Sequence, residues 1–166
     1  IGASSMMASL VRDGGSISLS AEELDERFEF LAAGASVGGS GEITEASLNS
    51  LSSNLNESLP LFIDMLRNPR FQQSRVDLSK ASVLESLKQR NDYPSGILRR
   101  ETSSLLFGNS YRGRSATGEM VDSITRENLI TTHAQIMNPA NLIISISGDF
   151  DKEEMLETLE TQLGDW

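Results

Sequence analysis

The chain has no cysteine, one histidine (His133), four prolines and only 5% aromatic residues. Without cysteine there can be no disulfide and no thiolate-ligated zinc. A single histidine excludes any site that needs two imidazoles. Ser-His-Asp chemistry is nominally possible, but none of the many serines sits in a G-x-S-x-G elbow. No apolar run approaches the roughly 18 residues of a membrane-spanning helix. Basic residues are outnumbered, 14 against 24 acidic, for a net charge of −10. They are scattered apart from the pair Arg99-Arg100, which disfavours nucleic acid. The acidic balance favours solubility and basic or neutral partners. The opening Ile1-Gly-Ala-Ser-Ser lacks a methionine, a basic cluster and a long apolar stretch. It is expected of a processed or excised piece of a longer product and not of a secretory signal.

What is present fits one globular domain of 166 residues with 38% apolar content, enough to build a core. Met6, Met7, Leu10 and Val11 have near-helical spacing and are stopped by Gly14-Gly15, which predicts a short buried helix over 3–12. Ser20-Ala-Glu-Glu23 is a capping box. It opens a helix through Leu24, Phe28 and Leu31 that is expected to stop at a left-handed Gly34. Residues 35–37 and 43–51 read as strands, linked by Gly38-Gly-Ser-Gly41 as a hairpin or bulge. Further helices are expected from Asn54 to Asn68-Pro69, over 72–91, from Pro94 to Gly108, from Thr125 to about Met137, and after Asp151. Residues 109–118 read as loop. The continuous apolar run Leu142–Ser147 predicts a strand buried on both faces. The element order is not βαβ, so the expected class is α+β, an antiparallel sheet with helices packed on one face.

Seven segments in register carry a resemblance. They are the first helix up to Asp13-Gly14-Gly15, then Leu31-Ala-Ala-Gly34-Ala35, Leu66-Arg-Asn-Pro69-Arg-Phe71 and Gln89-Arg-Asn-Asp92-Tyr-Pro94. Leu106-Phe-Gly108-Asn-Ser-Tyr111 and Ile124-Thr125-Arg-Glu-Asn-Leu129 follow, and then Asn138-Pro-Ala-Asn through Gly148-Asp149 to Leu163-Gly-Asp-Trp166. Together they resemble the pitrilysin/insulinase zinc peptidases. The resemblance implies a mitochondrial-processing-peptidase-like metallohydrolase domain, spanning 1–166 as a single partial unit that lacks the family's first strands. Those strands would come from another chain or another part of a precursor.

Active members carry H-x-x-E-H, two zinc-ligating histidines on one helix face with a glutamate as general base. The alignment puts Ser5-Met6-Met7-Ala8-Ser9 at that motif. Ser5 and Ser9 stand where the histidines would be, and Ala8 where the base would be. Glu85 falls at about the position of the family's third ligand, 76 residues past Ser9. The resemblance therefore implies a domain with no catalytic residues and no metal of its own. Zinc would sit on a partner domain carrying the motif, and this chain would supply chamber wall, peptide-holding surface and partner contacts. A second copy is the other candidate partner. The alternative reading is a scaffold or interaction module of the same family with no proteolytic role.

The remaining candidates read as structural. Glu85 is expected to be a solvated or hydrogen-bonded helix residue, and His133 a partly exposed one. Asp149 is expected to cap the turn or the next helix. Met6-Met7 and the Leu/Phe stripes are expected to be core, and Tyr111-Arg-Gly-Arg114 a basic-aromatic surface loop. Gly38-Gly39 replaces the Asn-Ala pair with which active members line substrate, but backbone pairing with an extended peptide stays open. The expected compartment is bacterial periplasm or cytoplasm.

Overall fold

Met6, Met7, Leu10 and Val11 recur every three or four residues, and they form the buried stripe of α1 (Ala3–Asp13). In the computed structural model, which describes residues 2–40 and 43–166, this helix is the centre of the packing. It lies on the hairpin β1 (Gly34–Ser40) and β2 (Ile43–Asn49), antiparallel in the register Gly34↔Asn49 to Ser40↔Ile43. The period-two alternation of strands sorts the hairpin into faces. Ala35, Val37, Ala46 and Leu48 turn to the core, while Ser36 and Ser47 share a hydrogen bond of 2.9 Å on the outer face. Gly38, Gly39 and Ser40 lie within the paired strand. The Gly41-Glu42 part of the expected Gly-rich link lies outside the described residues.

The capping box forms as read. Ser20 Oγ accepts from the Glu23 amide, and Glu23 Oε2 accepts from the Ser20 amide at 2.8 Å, opening α2 (Ala21–Phe30). Its stop differs from the sequence expectation. Ala32 takes the left-handed conformation (φ 48°), and Gly34 is already strand. Arg12 ties α1 to both neighbours, donating to the Ala35 carbonyl at 3.0 Å and to Asp25 at 2.5 Å.

After a short 3-10 turn (Ser52–Asn54) come α3 (Leu55–Arg67), α4 (Gln73–Gln89), α5 (Pro94–Phe107), α6 (Gly118–Asp122), α7 (Arg126–Ile136) and α8 (Lys152–Leu163). The core gathers α1, α2, the end of α3, Phe71, Val76, Val121, Ile124 and Leu129. The loop Gly14–Ile17 runs against Asn68–Gln72 through backbone bonds of 2.8–3.0 Å. That approach is closest at Gly14, where a Cβ would stand 3.2 Å from Phe71 Cα, and Gly15 turns the chain with φ 75°.

Two expectations fail. Leu142–Ser147 forms neither helix nor sheet among the described residues, and Ile143 is 94% exposed. The sheet is therefore two-stranded. An apolar run signals strand propensity, but a strand exists only with a partner edge, and none of the described residues supplies one. Likewise Leu98, Leu105, Leu106 and Phe107 of α5, expected to pack inward, are exposed, and α5 buries no residue.

Candidate functional site

The i, i+4 spacing of Ser5 and Ser9 puts both on the solvent face of α1. Ser9 Oγ donates back to the Ser5 carbonyl at 3.2 Å. Ala8 belongs to the opposite environment. It is fully buried, and its Cβ lies 3.4 Å from where a side chain on Gly39 would begin. Helix and sheet approach closely here because neither residue has anything beyond a Cβ.

Glu85 is exposed on α4, and its carboxylate accepts from Lys88 and Gln89, each at 3.1 Å. The hydrogen bond from Lys88, followed by its charge, holds the Glu85 pKa below the ordinary glutamate value. Its hydrogen bonds stay on its own helix and link it to neither Ser5 nor Ser9. Among the described residues no group of three His, Cys, Asp or Glu side chains is placed to hold a metal ion. Ser5, Ala8 and Ser9 do not fit zinc. Neutral hydroxyls are poor ligands, and a buried methyl moves no proton.

His133 is a correction. It is buried, donates from Nε2 to the Leu66 carbonyl at 2.8 Å, and meets the Phe71 ring edge-on at 6.0 Å between centroids. Burial lowers its pKa below the ordinary 6.5, and the bond to Leu66 opposes that shift. The signal was available in the sequence, since Leu129, His133 and Met137 recur every four residues on the core face. Asp149 also differs from expectation. Its backbone carbonyl accepts from Ser52 Oγ at 3.1 Å, while the cap of α8 is Asp151, which accepts from the Glu154 amide at 3.0 Å.

Arg126 carries a role that the sequence reading missed. Its guanidinium donates to the Arg70 and Phe71 carbonyls at 2.7–3.2 Å. Phe71 is buried with φ 47°, a left-handed conformation costly for a large side chain. Arg126 thus fastens a strained segment between α3 and α4 to α7. Asp64 is part of the same end of α3. Burial would raise its pKa, but hydrogen bonds from Ser18 and Asn68 outweigh that and lower it.

With this arrangement in view, comparisons with known proteins become informative. A family model described as the peptidase M16 inactive domain matches residues 123–166. An uncharacterised zinc protease of Mycobacterium leprae is 29% identical over 116 residues, covering 69% of this chain and 26% of that protein. A protease from Helicobacter pylori superposes with a TM-score of 0.83 at 18% identity, over 97% of this chain and 39% of the other. Residues 123–166 thus resemble the inactive domain of the M16 peptidases, and the fold is shared with a protease.

A solved peptidase M16 inactive domain from Pseudomonas fluorescens shares the fold too. Its TM-score is 0.75 at 22% identity, over 80% of this chain and 33% of that one. The chain spans about a quarter of the length of the curated relative it matches (26%). Its class is α+β, mostly helical around one antiparallel hairpin. Among the described residues no helix is long and apolar enough to cross a membrane.

Proposed function

We propose that this chain is a partial, non-catalytic peptidase domain that completes a zinc peptidase from outside its active site. It would form chamber wall and partner contacts beside a domain that holds the zinc. The observation that supports the reading is at α1: Ser5 and Ser9, which the resemblance puts at the ligand positions, are exposed hydroxyls, and Ala8, which it puts at the base position, is sealed against Gly39. Partner contact is supported by Leu142–Ser147, a segment outside helix and sheet whose Ile143, Ile144 and Ile146 are exposed. An extended segment of a partner, or of a longer precursor, would pair there by backbone hydrogen bonds. The hairpin β1–β2 likewise offers backbone edges to a peptide.

A peptidase assay of this chain, with and without the motif-bearing partner, tests the reading. We expect no turnover by the chain alone and enhanced turnover by the pair. Turnover by the isolated chain, or a stoichiometric zinc site of micromolar affinity in calorimetry, would refute it. A partner whose activity is indifferent to this domain would support the scaffold reading instead.

A further inference from the structure

Nearly half of the arginines fall within one stretch of the chain. Residues 90–116 hold five arginines against only Asp92 and Glu101, in a chain of net charge −10. They sit at the end of α4, on α5 and on the loop after it. Arg100 is held by Asn91 at 3.0 Å and Glu101 at 3.4 Å, and Arg112 stacks on Tyr111. Arg99 and Arg114 meet no carboxylate among the described residues. Interleaved with them, Tyr93, Leu98, Leu105 and Leu106 are 68–87% exposed. Arginine, tyrosine and large aliphatics presented together have the composition of an interface centre.

A complementary surface lies elsewhere on the same molecule. Between α2 and α3 runs an open groove of about 700 Å³, lined by the apolar Leu19, Phe30 and Leu61 and by the acidic Glu23, Glu26, Glu57 and Asp64. Its arginine, Arg27, is already engaged, by Glu57 at 2.5 Å and by stacking on Phe30 at 5.4 Å. Phe30 is 77% exposed. The groove therefore offers apolar contact together with an excess of negative charge. The two surfaces are held apart by α4. Its first turn is tied to α2 by Arg75–Glu22 at 3.0 Å, and its 17 residues carry the chain about 25 Å away before α5 begins.

We propose that the α5 arm of one copy docks in the α2–α3 groove of a second copy, head to tail. No α5 residue lines the groove of its own copy among the described residues, and charge favours a carboxylate-lined acceptor. An anionic membrane is disfavoured, because it would face a strongly acidic molecule. The contact is heterologous, so each added copy leaves one arm and one groove open and association propagates. Long-range attraction between exposed charges makes it salt-sensitive. This inference goes beyond the peptidase reading and does not depend on any zinc-bearing partner.

Sedimentation velocity of the full chain over a concentration series tests it. In low salt (about 0.05 M) the average mass should rise with concentration, and in high salt (about 0.5 M) association should weaken at least ~10-fold. Arg99→Glu/Arg114→Glu removes the arm, and Glu26→Arg/Phe30→Ser removes the groove. Each should stay monomeric alone, and an equimolar mixture should give a dimer that grows no further. Arg99→Gln/Arg114→Gln serves if charge reversal impairs folding, which circular dichroism reports. A wild-type chain that stays monomeric throughout overturns the proposal. So does association unchanged in both variants, or arm-dependent cosedimentation with anionic vesicles without self-association.

Discussion

Replacing Ala8 by glutamate puts an ionisable side chain where the resemblance would place a general base, and tests how firmly the fold has closed over that position. Ala8 has no solvent exposure, and its Cβ sits 3.4 Å from the point where a Gly39 side chain would start. A carboxylate there must either stay ionised without a partner or take up a proton. An uncompensated buried charge costs about 3–5 kcal/mol, a large share of the roughly 5–15 kcal/mol that holds a domain folded. With a urea slope of about 2 kcal/mol per molar, the midpoint at neutral pH should fall by ~1.5–2.5 M. Burial favours the neutral acid, so the folded-state pKa of Glu at position 8 would rise above its unfolded value. The charge penalty is then full above the raised pKa and fades as pH falls toward the unfolded value near 4.3. Ala8→Gln, similar in size but uncharged, separates steric from electrostatic cost, because its loss should not vary with pH in that window. Urea unfolding of the wild-type chain and both variants at several pH values decides the matter. An Ala8→Glu variant as stable as wild type at neutral pH, or one whose deficit matches Ala8→Gln at every pH, would refute the claim that this site is sealed.

Exposed Ser5→His/Ser9→His should change stability by less than about 0.5 kcal/mol in the same urea assay. His133 has a depressed folded-state pKa, so its contribution is fully present above 6.5 and is lost as pH falls through the folded value. The wild-type minus His133→Gln difference in unfolding free energy should therefore shrink between neutral pH and about pH 5. Arg126→Ala removes the donors to the Arg70 and Phe71 carbonyls. It should cost about 1–3 kcal/mol, and Phe71→Gly in that background should recover less than it loses in packing. Hydrogen exchange should find the amides of 143–147 unprotected in the isolated chain and protected when a strand-donating partner is bound.

Local signals were read well and cover was not. The Ser20–Glu23 box, the Thr125 cap that accepts from the Asn128 amide at 3.2 Å, and the α1 stripe are written in residues within one or two turns. So is the alternation of Ala35, Val37, Ala46 and Leu48 in the hairpin. The fate of Leu142–Ser147 and of α5 depends on what lies beside them, and apolarity says only that something could. The pattern 129, 133, 137 would have buried His133 had the histidine been counted as a core position. The Arg126 contact joins residues 55 and 56 positions apart, and no local pattern announces it. The helical spacing of Ser5, Ala8 and Ser9 was legible, whereas the seal over Ala8 needed the packing of α1 on β1.

The dependence of α1 on α7 bears on synthesis. The first helix packs on a helix that begins at Arg126, so Met6, Met7, Leu10 and Val11 cannot find their full cover until about 120 more residues have been made. At roughly 5–20 residues per second this leaves an apolar helix waiting for about 6–25 s on a nascent chain. The hairpin can cover one side early, since it follows within a few dozen residues. The other side would be a natural holding site for a chaperone, and α7 its release signal.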